Sequence, residues 1–159
     1  VQVRQLLRRK GHAIWSVDAD EPVLEAIQMM ADKHVGALPV TRGGDLVGMV
    51  SERDYARKVI LVGKASKETL VEEIMTDKVQ YATPQNSVAE CMALMTEGHF
   101  RHLPVLDENL QVIGVVSIGD LVKAVIDSQA EQIERMETED EAPEFSPSTP
   151  FDWNEDGDL

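Results

Sequence analysis

The sequence predicts an α+β fold made of two copies of one β-α-β-β-α unit, and three observations predict it. First, "VLEAIQMMADKHVGALPV" (residues 23–40) aligns without a gap on "VAECMALMTEGHFRHLPV" (residues 88–105). Val23 meets Val88, Glu25 meets Glu90, Met30 meets Met95, His34 meets His99, and Leu38-Pro39-Val40 meets Leu103-Pro104-Val105. Second, one extra residue in the second copy's turn brings "LVGMVSERD" onto "VIGVVSIGD", so that Gly48, Val50, Ser51 and Asp54 match Gly114, Val116, Ser117 and Asp120. Third, each copy runs from helical apolar spacing into two short apolar strands split by a polar turn. Identity at so many spaced positions marks a duplication.

The elements follow in order. The opening "VQVRQLLRRK" reads as a helix and forms an N-terminal segment over residues 1–12. The first repeat spans residues 13–63 and begins with an extended piece at 13–17. Val23, Ala26, Ile27 and Met30 then recur at helical spacing, the methionines filling core. A strand at 37–41, the turn "RGGD", a strand at 46–50 and a helix over "ERDYARKVILVG" complete the unit. Residues 64–76 contain "KASKETLVEEIM", read as a connecting helix capped by Ser66. The second repeat spans residues 77–136 with an extended piece at 79–83. Val88, Cys91, Met92 and Met95 give its helix, followed by strands at 102–106 and 112–116 around "DENLQ" and a last helix. Residues 137–159 are acidic and carry Pro143, Pro147 and Pro150, a composition that predicts a solvated, flexible tail. Phe145, Phe151 and Trp153 are the tail's candidates for docking on a partner.

At 159 residues the chain suffices for one domain, or two small repeats sharing a core. No apolar run approaches the roughly eighteen residues that span a bilayer, and the opening lacks the pattern of a signal peptide. The single Cys91 leaves no internal disulfide and suits a reducing compartment, so a cytoplasmic location is expected. The net charge of −14 is uneven: from Glu131 onward 11 acidic residues stand against one basic, and the rest holds 18 against 14. Such a chain is repelled by nucleic acid and by anionic lipid, and neither is expected as a partner.

"GALPV" and "RHLPV", followed by "GMVSERD" and "GVVSIGD", resemble the signature of the cystathionine beta-synthase (CBS) domain. The tandem pair, covering about residues 4–127, looks like a stand-alone Bateman module. The resemblance implies two repeats related by pseudo-twofold symmetry, their sheets packed together and their helices outside. It implies two clefts between the repeats that take adenosine compounds, namely AMP first, then ADP, ATP, S-adenosylmethionine or NAD(H). It also implies a regulatory module that changes shape rather than an enzyme, a homodimer of such pairs, and a regulated protein in trans. The alternative is a dimerisation or partner-binding scaffold with a vestigial cleft.

Carried onto this sequence, the resemblance assigns two unlike sites. One combines Lys10, Gly11, His12, Ile14, Val35, Gly36 and Ala37 with Ser117 and Asp120. The other combines Thr76, Lys78, Val79, Phe100, Arg101 and His102 with Ser51, Arg53 and Asp54. Pro39 and Pro104 are counted with the strands of each. The Ser-x-x-Asp carboxylates would take the ribose hydroxyls, main-chain groups the adenine edge, and Ile14, Val35, Val79 and Phe100 the adenine faces. By residue chemistry alone the same Ser-x-x-Asp also fits a capping box, which satisfies the first amides of a helix. Arg101 offers a fork of donors to phosphate, with His102 and Arg53 beside it, so the second site is expected to hold phosphate more strongly. At the matching positions the first site has Gly36, Ala37 and Gly119, leaving Lys10 and His12. His12, His34 and His99 are isolated from cysteines and acids, and no metal is expected. Cys91 on an apolar helix face and "RGGD" as a hairpin turn give no catalytic or phosphate-loop reading.

Overall fold

A computed structural model of the chain describes residues 1–11 and 13–139. The chain divides into two compact units, Val1–Val125 and Ile126–Leu159. His12 and the expected tail, apart from its first three residues, lie outside the described residues, as do Phe145, Phe151 and Trp153.

Both repeats form in order. The elements are α1 (Val3–Lys10), β1 (Val17–Asp18), α2 (Val23–Lys33), β2 (Ala37–Arg42), β3 (Asp45–Ser51) and α3 (Glu52–Tyr55), which passes into a π-helical turn at Ala56–Ile60. Then come α4 (Val71–Ile74), α5 (Val88–Gly98), β4 (His102–Leu106), β5 (Val112–Ser117) and α6 (Ile118–Glu139). β1 runs parallel to β2, and β2 pairs antiparallel with β3. β4 pairs antiparallel with β5, and the expected third strand shrinks to one parallel bridge between Ala82 and Val105. The registers repeat the alignment: Val17 meets Val40 as Ala82 meets Val105, and Val40 meets Gly48 as Val105 meets Gly114. Both hairpins shift register at the same place, after Val40 and after Val105.

The helical spacing buries what it predicted. Val23, Ala26 and Met30 of α2 and Val88, Cys91 and Met95 of α5 all face the core. Each helix ends on a histidine with positive φ: His34 at 55° and His99 at 56°, their amides donating to the Met30 and Met95 carbonyls. A left-handed cap stops the helix and turns the chain toward the next strand, and histidine is among the residues that tolerate it better than β-branched ones. The isolated histidines thus have a backbone role. Ser87 and Glu90 form a capping box at the start of α5, whereas α2 starts after Pro22 with no side-chain cap.

Two elements depart from expectation. The connecting helix is only α4, four residues long, and Ser66 does not cap it. The preceding backbone is committed elsewhere: Val23 N donates to Thr69 O (2.8 Å) and Leu24 N to Ser66 O (3.1 Å). Those carbonyls face the start of α2, and the segment folds as turns around it. The helix over "ERDYARKVILVG" is likewise shorter, ending by Gly63 at φ 73°.

The topology adds a crossing that the sequence left open. α1 completes the second repeat, not the first. Val3 and Leu6 are buried with Leu103, Val105 and Val116, and Val3 N donates to Asn86 O (2.9 Å). Conversely Val71 and Ile74 of α4 are buried with Val17, Val23 and Leu38 of the first repeat. Each repeat is finished by the segment that precedes the other. Glycines admit these crossing segments: a Cβ on Gly114 would come within 2.6 Å of Leu7 Cδ2, and one on Gly48 within 2.6 Å of Met75 Sδ. β2 of the first repeat lies against β5 of the second, which brings the corner before β2 toward the end of β5.

Candidate ligand-binding site

Gly11 sets the geometry of the cleft. Its φ of 96° is a conformation L-residues rarely adopt, and its amide still donates to Leu7 O (3.2 Å). α1 therefore ends at Lys10, and residues 13–16 lead into β1 with no regular structure of their own. On the other side, the corner at Gly36 is tied to the start of α3, where Glu52 N donates to Gly36 O (3.0 Å). The second repeat has the same tie, from Ile118 N to Arg101 O (2.8 Å).

These walls enclose a cavity of about 420 Å³. Lys10, Gly11, Ile14, Val35, Gly36, Ala37, Ser117 and Asp120 all line it, so every described member of the first expected set is brought together. His12 lies outside the described residues. Leu7, Trp15, Lys33, His34, Leu38, Gly114 and Val115 also face it. Trp15 and Lys33 were missed in the sequence. The Lys33 ammonium stands 4.2 Å from the centre of the Trp15 ring, a cation–π contact at the cavity wall. The signal was available in part, since Trp15 directly follows Ile14 in the segment that leads into β1.

Ser117 and Asp120 form a true capping box: Ser117 N donates to Asp120 Oδ2 (2.8 Å) and Asp120 N to Ser117 Oγ (3.1 Å). Lys10, on the last turn of α1, adds a third contact. Its Nζ donates to Asp120 Oδ2 (2.7 Å) and to Val115 O (2.8 Å). Burial alone would raise the Asp120 carboxyl, but the bonds from Lys10 and Ser117, with the lysine charge, hold it below the usual carboxylate range. The pair is partly exposed, so its own contribution to stability is modest.

His102 corrects the expected division of residues. It was assigned with Arg101 to the second site, yet it lines the first cavity. A Cβ on Gly36 would stand 3.3 Å from its Cε1 and Nε2, so the imidazole fills the space a side chain at 36 would take. Strand alternation is the cause: consecutive residues at the start of β4 point to opposite faces. Burial lowers the pKa of His102, as do the charges of Lys10 and Arg101, against opposing contributions from Asp120 and Glu52.

No other member of the second set lines this cavity. Ser51 and Asp54 repeat the capping box, Asp54 N donating to Ser51 Oγ (3.2 Å), and Lys58 Nζ lies 3.2 Å from Asp54 Oδ1. Thr76 is bonded by its backbone to Met49 in both directions. Phe100 packs on the second repeat's core and over Gly98, where an added Cβ would come within 2.1 Å of its ring. Arg53, Lys78 and Arg101 are exposed and Val79 is half-buried. Pro39 and Pro104 are buried in their sheets and do not reach the cavity. Among the described residues no cluster of histidine, cysteine and acids is placed to hold a metal. Cys91 is buried, and burial followed by the charge of Glu90 pushes its thiol up, away from reactivity.

Comparison with known proteins agrees with this fold. A protein with CBS domains from Burkholderia ambifaria, known from its structure, is 53% identical, covers 81% of this chain and 96% of its own, and superposes with a TM-score of 0.77. The mitochondrial CBS domain-containing protein CBSX3 of Arabidopsis thaliana is 40% identical over 131 residues, 79% of this chain. The matched region spans 63% of that relative's length. A more distant CBS domain pair, crystallised with 5′-methylthioadenosine and S-adenosylmethionine, shares the fold at 23% identity and a TM-score of 0.70, over 79% of this chain and 99% of that one. The CBS domain model itself matches twice, over residues 3–60 and 71–127, and on that evidence the chain belongs to the CBS domain family.

Proposed function

We propose that the chain is a regulatory module that binds an adenosine compound, AMP foremost and ADP, ATP or NAD(H) by the same chemistry, in the cleft between its repeats. Ligand changes the module's shape, and a regulated protein in trans reads that change. One observation carries the reading: all eight described residues expected of the first site line a single cavity whose volume suits a nucleotide-sized ligand. Ile14, Val35 and Trp15 offer apolar surface to the adenine faces. The main chain of residues 13–15 and Ala37 offers its polar edge partners, and Asp120 offers the ribose an acceptor. Lys10 and Lys33 concentrate positive charge at this cavity in a chain of net charge −14, which favours a ligand bearing phosphate. The second capping box, Ser51 and Asp54, with Arg53, Lys78 and Arg101 exposed, forms the second site. No catalytic step enters this reading, and the module works with a second copy of itself. The buried, unpaired Cys91 suits a reducing compartment such as cytoplasm or mitochondrial matrix.

Calorimetry with AMP, ATP, NADH and adenosine tests it. Asp120→Ala is expected to weaken AMP at this cleft at least about tenfold, the scale of lost hydrogen bonds to a charged group. Asp54→Ala is expected to spare that site. Absence of binding by every adenosine compound at millimolar concentration sinks the reading.

A further inference from the structure

We propose that Lys10 is a specificity-determining residue of this cleft, one that selects phosphorylated ligands by exchanging its partner from Asp120 to the ligand. The inference rests on the adenosine-ligand reading above and adds to it a rule for which ligand wins. Asp120 Oδ2 accepts two donors, the Ser117 amide and the Lys10 ammonium. A ribose diol that grips a carboxylate uses both of its oxygens, so one hydroxyl needs a place on Oδ2. A carboxylate oxygen accepts about two hydrogen bonds. The Ser117 amide is fixed by the backbone at the start of α6 and cannot leave without opening the cap. Lys10 can leave, because it reaches Asp120 on a flexible four-carbon stem and is only partly buried.

What Lys10 gains on leaving depends on the ligand. With adenosine the displaced ammonium keeps only Val115 O and water, so binding loses an ion pair. With AMP the ammonium finds a phosphate in the same cavity, and the exchange costs little while adding a charge-assisted bond. Lys10 therefore penalises the nucleoside and rewards the nucleotide. A cationic sulfonium ligand meets the penalty plus repulsion from Lys10 and Lys33, both of which line the cavity. A merely structural Lys10 has no such two-signed effect.

Calorimetric titration of the full chain with adenosine and with AMP tests this, comparing the natural protein with Lys10→Met, Lys10→Gln and Lys10→Arg. The two neutral variants are expected to bind AMP about ten- to a hundredfold more weakly and adenosine about two- to fivefold more tightly, the scale of an exposed ion pair. Lys10→Gln keeps a donor for Val115 O should Lys10→Met not fold, and Lys10→Arg is expected to restore the natural order. Equal weakening of both ligands, or no change in either, overturns the proposal while leaving the cleft a site for adenosine compounds. Binding of neither ligand to the natural protein overturns both.

Discussion

At the scale of single residues, His102 connects the cleft to pH. Its imidazole meets Lys10 of α1, Glu52 of α3, Asp120 of α6 and its own neighbour Arg101, and burial is the largest influence on it, followed by Lys10. Both lower its pKa below the ordinary 6.5. The sign follows from proton binding. Below 6.5 the unfolded chain takes up a proton at this position before the folded chain does, so stability falls as pH drops toward the folded value and is unaffected well above 6.5. Denaturant unfolding at pH 7.5 and at about pH 5.5 is expected to show a loss for the natural protein that is smaller in His102→Gln. An equal loss in both assigns the pH dependence to other groups. Asp120 acts with the same sign at lower pH: its depressed carboxyl stabilises above the ordinary carboxylate range and loses that contribution only in stronger acid.

At the scale of elements, the crossing of α1 and α4 has a measurable consequence. Val3 and Leu6 of α1 are buried among residues of the second repeat, so a cavity there weakens β4 and β5 before β2 and β3. Leu6→Ala is expected to cost about 2–4 kcal/mol, and hydrogen exchange is expected to rise most at Leu103 and Val116. Uniform loss of protection across both repeats refutes this partition. The crossing also marks where the sequence was legible. The duplication gave both hairpins nearly to the residue, because alternation and the shared glycines fix register. The family resemblance, rather than the duplication, named eight of the residues that line the cavity, and it named neither Trp15 nor Lys33, which no repeated motif marks. The duplication did not give the partner of α1, because an amphipathic helix records that it has an apolar face and not which core receives it. Nor did it assign His102, where one step along a strand reverses the face. The four-residue α4 was hidden for a related reason: "KASKETLVEEIM" has helical composition, and tertiary bonds to the start of α2 override it.

At the scale of the whole molecule, the exposed surface argues for a second copy. Ile60, Leu61 and Val62 are consecutive and 57%, 77% and 59% exposed. They are held in place, since Leu61 N donates to Ala56 O (3.0 Å) and Lys64 N to Val59 O (2.9 Å), closing the turn around them. A fixed run of exposed aliphatic side chains is a feature monomeric proteins avoid. The net charge of −14 opposes association, and most of it lies from Glu131 onward. The two forces respond differently to salt. Repulsion between exposed charges is screened within about 10 Å at 0.1 M ionic strength, whereas apolar burial is not weakened by that change. A dimer formed through this face is therefore expected to tighten as salt rises, opposite to an association built on ion pairs. Sedimentation equilibrium at low and moderate ionic strength measures it. Leu61→Ser is expected to shift the natural protein toward monomer at every salt concentration while leaving AMP binding in the cleft intact, since Leu61 does not line that cavity. A dimer that weakens with added salt, or one indifferent to Leu61→Ser, places the interface on another surface.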